Sequence, residues 1–501
     1  MKTLTFLGLW LALFYFSPLE AKKIQILHTN DLHSMFNGSR DGLGGYARLK
    51  TLVKVLKAKA QDDNIPTLFL DGGDFSEGSS FYFSNQGNDS FRALDLLGVD
   101  VTVLGNHDFL LGPGELIRQI KNSKLKAKII SGNLKRKKSL GLDQFIQDHV
   151  DYKIDDLKLR IMGVTTSEII YQYPLLPLGY MADSHKTGIK MSQRARNDRI
   201  DFLIALTHVG LKKDIKLARQ SRSIDLIIGG HDHKLTRTPV MINNLKKRPI
   251  PIIQAGGHSK HLGALLIDIR PKGESVILDY QVYDIAPEIE QDAEMNELVK
   301  QADLNRKEYF GPDWDKIIGI SNIQLTGAPY TEKNRFRSCW SRHIARLTRL
   351  TANADLGIQF DEFLGQDIAP GEITYKDIID NFPRFNKWGD KGWMIKKTWI
   401  QGLALKKIIK VISQSDMSST VTMDGLQVNL PNQLKINGLP IQNFRFYSVA
   451  MPSIIPRAIF RTVGVFGNLV FRNPKTIPHS HFWTILETYL ATNSPLECLE
   501  N

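Results

Sequence analysis

Seven side chains with oxygen or nitrogen donors stand in five short clusters: Asp31 with His33, Asp74, Asn106, His208, and His231 with His233. Carboxylate, amide and imidazole donors without a thiolate suit hard or borderline divalent ions, and they argue against a structural cysteine-held zinc. Seven donors are too many for one four-coordinate ion and fit two ions that share a carboxylate. His107, next to Asn106, is of the type that faces a substrate as an acid or hydrogen-bond donor. Each cluster is weak alone. Asp-x-His arises by chance about once in a chain of this size, and Gly72-Gly73-Asp74 also reads as an ordinary Asx turn. A single histidine after a strand is most often structural. Asp183-Ser184-His185 serves as an internal control: it repeats the Asp-x-His pattern in a polar loop after no evident strand.

Position gives the clusters weight. Short apolar, β-branched runs at Ile24–Leu27, Thr67–Leu70, Val101–Leu104, Phe202–Leu206, Leu226–Ile228 and Ile252–Gln254 read as buried strands, and each cluster follows one of the first five. In open α/β sheets the carboxyl ends of the strands form the ligand crevice. Helical periodicity at Ala47–Lys59, Ser90–Leu97 and Glu115–Ile120 alternates with these runs, so the chain up to about residue 286 reads as an α/β, layered domain. A polar stretch at Pro287–Phe310, free of glycine, predicts a connecting helix. From Gly311 to Asn501 a second, α+β domain is expected, with a strand at Ile317–Ile323, a basic helix near Arg335–Leu350 and strand-like runs around Phe444–Val449.

The 501 residues carry a formal charge of +13. A basic exterior favours anionic ligands, although each lysine- and arginine-rich cluster also reads as a solvated face, and no nucleic-acid-binding motif is present. Lys2, the apolar run Leu4–Phe16 and the segment ending at Ala21 predict a signal peptide over residues 1–21 and a periplasmic or secreted product. The run is short for a membrane span, so none is expected after cleavage. Two cysteines, Cys339 and Cys498, are free to pair in an oxidising compartment or to remain buried thiols.

The ordered set Leu27-His28-Thr29-Asn30-Asp31-Leu32-His33, Asp71-Gly72-Gly73-Asp74, Leu104-Gly105-Asn106-His107-Asp108-Phe109, Ala205-Leu206-Thr207-His208-Val209-Gly210 and Gly230-His231-Asp232-His233 resembles the calcineurin-like metallophosphoesterases. Among these it is closest in pattern to the secreted 5′-nucleotidase and UDP-sugar hydrolase family. The resemblance implies a metallophosphoesterase β-sandwich flanked by helices, a linker helix and a smaller substrate-specificity domain. It implies two divalent ions, drawn from Zn, Mn, Co or Mg: one held by Asp31, His33, Asp74 and His233, the other by Asp74, Asn106, His208 and His231. Hydrolysis of a phosphate ester, a nucleotide by default, would then proceed through a metal-activated hydroxide, with His107 stabilising the phosphoryl oxygens or protonating the leaving group.

The sequence departs from that family in places that bear on the substrate. The Asp that commonly orients the catalytic His is replaced by Leu110, with Asp108 or another carboxylate as a substitute. Gln359–Gly365 lacks the substrate-binding Arg and carries Asp361 and Glu362, which would repel phosphate. The segment matching the family's nucleobase-stacking motif is Pro383-Arg384-Phe385-Asn386, so Arg384 and Phe385 are the substrate-binding candidates, although core packing is the favoured reading for the ring. Met451–Ile459 stands where a glycine-rich loop is expected. These changes keep open a phosphodiester, cyclic nucleotide or sulfur-containing ester as substrate, and also a non-catalytic anion-binding or adhesion protein.

Overall fold

The computed structural model describes residues 22–39, 42–136, 141–168, 179–270, 275–326, 338–414, 421–429, 433–456 and 471–499. The expected signal peptide, parts of the basic clusters at Lys135–Lys138 and Arg335–Arg349, and residues 457–459 lie outside them.

The apolar runs become the centre of two sheets. The first has seven strands in the order Val276–Asp284, His261–Ile269, Lys22–Thr29, Thr67–Asp71, Val101–Val103, Lys128–Ile130 and Ile146–Gln147. The second has six, in the order Val240–Asn243, Pro249–Ile253, Leu226–Ile228, Phe202–His208, Leu157–Thr165 and His149–Ile154. The strands that carry the clusters pair in parallel, Ile26 opposite Leu68 and Ile204 opposite both Ile161 and Leu226, while His261–Ile269 runs antiparallel to its neighbours. Strands buried on both faces read as continuous hydrophobic runs rather than alternating ones. Ile24, Ile26, Leu70 and Val103 of the first sheet meet Ile161, Ile204, Leu206 and Ile228 of the second in one core, while helices cover the outer faces. Parallel strands point their carboxyl ends the same way, so the five clusters arrive at one rim.

The connecting helix forms at Ala293–Phe310 and is N-capped by Asp292, whose side chain accepts from the Met295 N–H. Beyond it lies a five-stranded sheet in the order Val421–Asp424, Leu356–Phe360, Phe446–Pro452, Met394–Gln401 and Arg472–His481, packed on helices that include Cys339–Thr351 and Phe482–Asn493. Cys339 and Cys498 are joined as a disulfide, which resolves the open alternative in favour of pairing. The two halves share a core: the 3-10 segment Ser80–Gly87 inserts Phe83 among Phe310, Phe385, Trp388 and Trp483, with ring centroids 4.5–6.0 Å away.

One expectation needs correction. Asp183-Ser184-His185 does follow a short strand, Gly179–Met181, and it opens a helix rather than lying in a loop. Asp183 N-caps helix Ser184–Asn197 by accepting from the Lys186 N–H at 2.7 Å. Its carboxylate does the ordinary work of a cap.

Candidate active site

At the shared rim the backbone is strained where donors are presented. Asp31, His33, Asp74, His231 and His233 all have positive φ, between 50° and 91°. Non-glycine residues occupy that region at a cost, and such strain clusters at functional sites. Neighbouring glycines leave room for it. A Cβ on Gly105 would collide with the Asp74 carboxylate, and one on Gly78 with the His33 ring.

The donors gather into overlapping groups. Asp31, His33 and Asp74 offer ligand atoms within 4.8 Å of one another, as do Asp74, His208 and His231. Asp74 belongs to both, the arrangement needed for a carboxylate shared between two ions. His233 lies against the first group, its Nε2 3.5 Å from Asp31 Oδ1 and 3.1 Å from His33 Nε2. Asn106 lies against the second, its Oδ1 3.2 Å from His208 Nε2. Thus the structure brings together all seven residues singled out by sequence.

Outer contacts set the tautomers. His33 Nδ1 donates to the Glu77 carbonyl at 2.6 Å and His208 Nδ1 to the Gly72 carbonyl at 2.7 Å, which leaves each Nε2 turned toward the carboxylates. Second partners of this kind orient metal-binding imidazoles. Electrostatics point the same way. Burial raises the Asp31 carboxyl well above its usual range, with the Asp74 charge adding to the effect. Burial alone would lower His208, but the Asp74 carboxylate 2.9 Å away raises it to about 10. Buried carboxylates that draw a proton onto a facing imidazole mark a place where a cation is favoured. Oxygen and nitrogen donors in this packing fit divalent ions.

Sequence reasoning missed two residues. His258 lies beside His33 and His233, with ligand atoms within 4.8 Å of one another, and is positioned by its N–H donating to the Asp31 carbonyl at 2.7 Å. The strand-end rule could have found it, because it follows strand Pro249–Ile253 after a Gly-Gly turn. Glu77 is the second. Its Oε2 accepts from His107 Nδ1 and also pairs with Arg384 Nη1 at 2.7 Å. Asp108, the nearest substitute suggested by sequence, is committed elsewhere: it accepts from the N–H groups of Asp74, Ser76 and Gly105 and from Ser76 Oγ.

The two substrate-binding candidates are both buried. Arg384 is buried, and its guanidinium is engaged by Glu77 and by the Phe363 carbonyl at 3.1 Å. Phe385 packs on Tyr82, Phe83 and Trp388, so its ring is core rather than an open stacking face. Asp361 accepts from Ser341 Oγ, and burial pushes its carboxyl up to about 7, which weakens the repulsion expected of it toward phosphate.

Oxygen and nitrogen donors thus converge at the strand ends of a two-sheet α/β layer. Residues 24–235 match the calcineurin-like phosphoesterases, a family that uses divalent metals. Protein UshA of Salmonella pullorum is 24% identical over 526 residues, covering 95% of this chain and 92% of that protein. The 5'-nucleotidase of Rattus norvegicus is 26% identical over 346 residues, 63% of this chain, and the match spans only 58% of the rat protein. The crystal structure of a 5'-nucleotidase precursor from Thermus thermophilus superposes with a TM-score of 0.81 at 19% identity, covering 96% of this chain and 98% of that one. That likeness concerns the fold, through both halves.

Proposed function

We propose that the chain is an exported, two-ion phosphohydrolase acting on small anionic phosphate esters, with nucleotide 5′-phosphates as the default substrate. Residues 22–286 would carry the chemistry, 287–310 the connection, and 311–501 the specificity. The observation that carries the reading is Asp74, shared by two donor groups, with His107 tied to the same carboxylate through its N–H, 2.7 Å from Asp74 Oδ1.

In this reading Asp31, His33, Asp74 and His233 hold one ion and Asp74, Asn106, His208 and His231 the other. Bound divalent ions supply Lewis acidity and lower the pKa of water at neutral pH. The chain's own part is orientation and charge placement. His107, with Nδ1 engaged by Glu77, has Nε2 available to donate to a phosphoryl oxygen or to the departing alkoxide, which general acid catalysis requires.

A panel of AMP, UDP-glucose, 4-nitrophenyl phosphate and bis(4-nitrophenyl) phosphate, assayed with Mn²⁺, Zn²⁺, Co²⁺ or Mg²⁺, tests this. Metal-dependent turnover of the monoesters is expected, lost in Asp74→Asn and strongly reduced in His107→Ala. No metal-dependent turnover of any ester would refute it, and turnover confined to the diester would transfer the site to the phosphodiester reading.

A further inference from the structure

We infer that Glu77 is the positioning residue for His107, and that Arg384 from the C-terminal half makes this orientation depend on the two halves being docked. The inference rests on the phosphohydrolase reading for its kinetic arm only.

A catalytic imidazole needs a fixed tautomer, which a carboxylate or carbonyl at the far nitrogen provides. At His107 the near carboxylate of sequence, Asp108, has its oxygens turned to backbone N–H groups and Ser76, and residue 110 is a leucine. Glu77 fills the role from another loop, following strand Thr67–Asp71. It is only 2% exposed, and a carboxylate so buried is costly unless paired. Its pair is Arg384, distant by 307 residues and itself 5% exposed. Arg384 Nη1 also stands 3.2 Å from His107 Nδ1. Nδ1 has one proton or one lone pair, so the two contacts exclude each other as hydrogen bonds. The buried carboxylate between two donors is the stronger acceptor, and the arginine contact is then proximity alone.

Arg384 is held in turn by the second half, through the Phe363 carbonyl, and sits one residue before Phe385 in the shared aromatic core. Separating the halves would therefore remove the cation that neutralises Glu77. The seven metal-donor candidates all lie in the first half, so Arg384 gives the second half a route to the orientation of His107.

Two independent readouts decide the matter. In ¹⁵N-histidine-labelled protein, a downfield Nδ1–H resonance that vanishes in His107→Ala is expected in the parent, moved upfield in Glu77→Gln, whose neutral amide oxygen is the weaker acceptor, and shifted or broadened in Arg384→Gln. An unshifted resonance in Glu77→Gln, or its absence from the parent, would overturn the role of Glu77. An unchanged resonance in Arg384→Gln would overturn the dependence on docking. In kinetics, Glu77→Gln should lower kcat on AMP about 10- to 100-fold, the range typical of losing such a partner, yet by less than about 2-fold in a His107→Ala background, because non-additivity is the mark of acting through another residue. Equal losses in both backgrounds would mean Glu77 acts elsewhere, for instance through the His33 contact of its carbonyl. An inactive parent would defeat the phosphohydrolase reading while the NMR arm still decides this one. Should Glu77→Gln fail to fold, Glu77→Asp, which withdraws the carboxylate by one methylene, must shift the same resonance.

Discussion

Phe83→Ala is the sharpest test of whether the two halves are one cooperative body. Phe83 is 1% exposed, and its ring contacts both the linker helix and the second half through Phe310, Phe385 and Trp483 at 4.5–5.5 Å between centroids. Burying a phenylalanine removes roughly 200 Å² from water, and at about 25 cal/mol per Å² this contributes on the order of 5 kcal/mol as an upper bound. Measured Phe→Ala changes in cores cost about 3–5 kcal/mol. For a half of this size each kcal/mol lowers Tm by about 2–4 °C, so a drop on the order of 10 °C is expected. Differential scanning calorimetry is the assay. The parent should unfold in one transition and Phe83→Ala in two, the lower belonging to the C-terminal half. Leu304→Ala, on the exposed side of the linker helix at 59% exposure, is the control and should shift Tm by no more than about 2 °C. A Phe83→Ala loss below about 1 kcal/mol, with a single transition retained, would refute the shared core.

Asp292→Asn, which keeps the helix cap, should destabilise the chain by about 1–2 kcal/mol at pH 7, because it removes the charge that pairs with Lys50 at 3.3 Å and with Lys54. Burial alone would raise its carboxyl, but the Lys54 and Met295 hydrogen bonds, with Lys50, hold it at about 2. A depressed pKa gives stability that is present above about 4 and is lost as pH falls toward about 2; urea midpoints of parent and variant that stay equally far apart from pH 7 down to pH 2 would show that charge is not the source. Cys498→Ser opens a disulfide spanning 159 residues, worth up to about 5 kcal/mol by loop entropy, and an unchanged Tm would contradict its structural role. Removal of divalent ions by a chelator should lower Tm in the parent, since ligand at 100 times Kd stabilises by about 2.7 kcal/mol; the same Tm with and without chelator would speak against bound ions.

The parts legible in sequence were those with a local signature. Interior parallel strands such as Phe202–His208, buried at every residue, leave continuous apolar runs, and the donors following them could be read as one rim. Strand Leu157–Thr165 escaped that reading because Lys158 and Arg160 interrupt it. Arg160 is nonetheless buried, its charge met by Asp151 and Asp198. Glu77 had no signature at all: a lone acid in a Ser- and Gly-rich loop acquires meaning only from Arg384, brought to it by the tertiary fold. Phe385 shows the converse. Its motif suggested a substrate contact as well as the favoured core packing, and only the tertiary fold shows which core: the ring closes the joint between halves, against the inserted Phe83.

The central claim, a site built for two ions around Asp74, is tested most directly by counting metal per chain after loading with Mn²⁺ and desalting, alongside turnover of 4-nitrophenyl phosphate. The account predicts two ions per chain and hydrolysis in the parent, with one ion or none and no hydrolysis in Asp74→Asn. Two ions and undiminished hydrolysis in Asp74→Asn, or a parent that binds none, would contradict it.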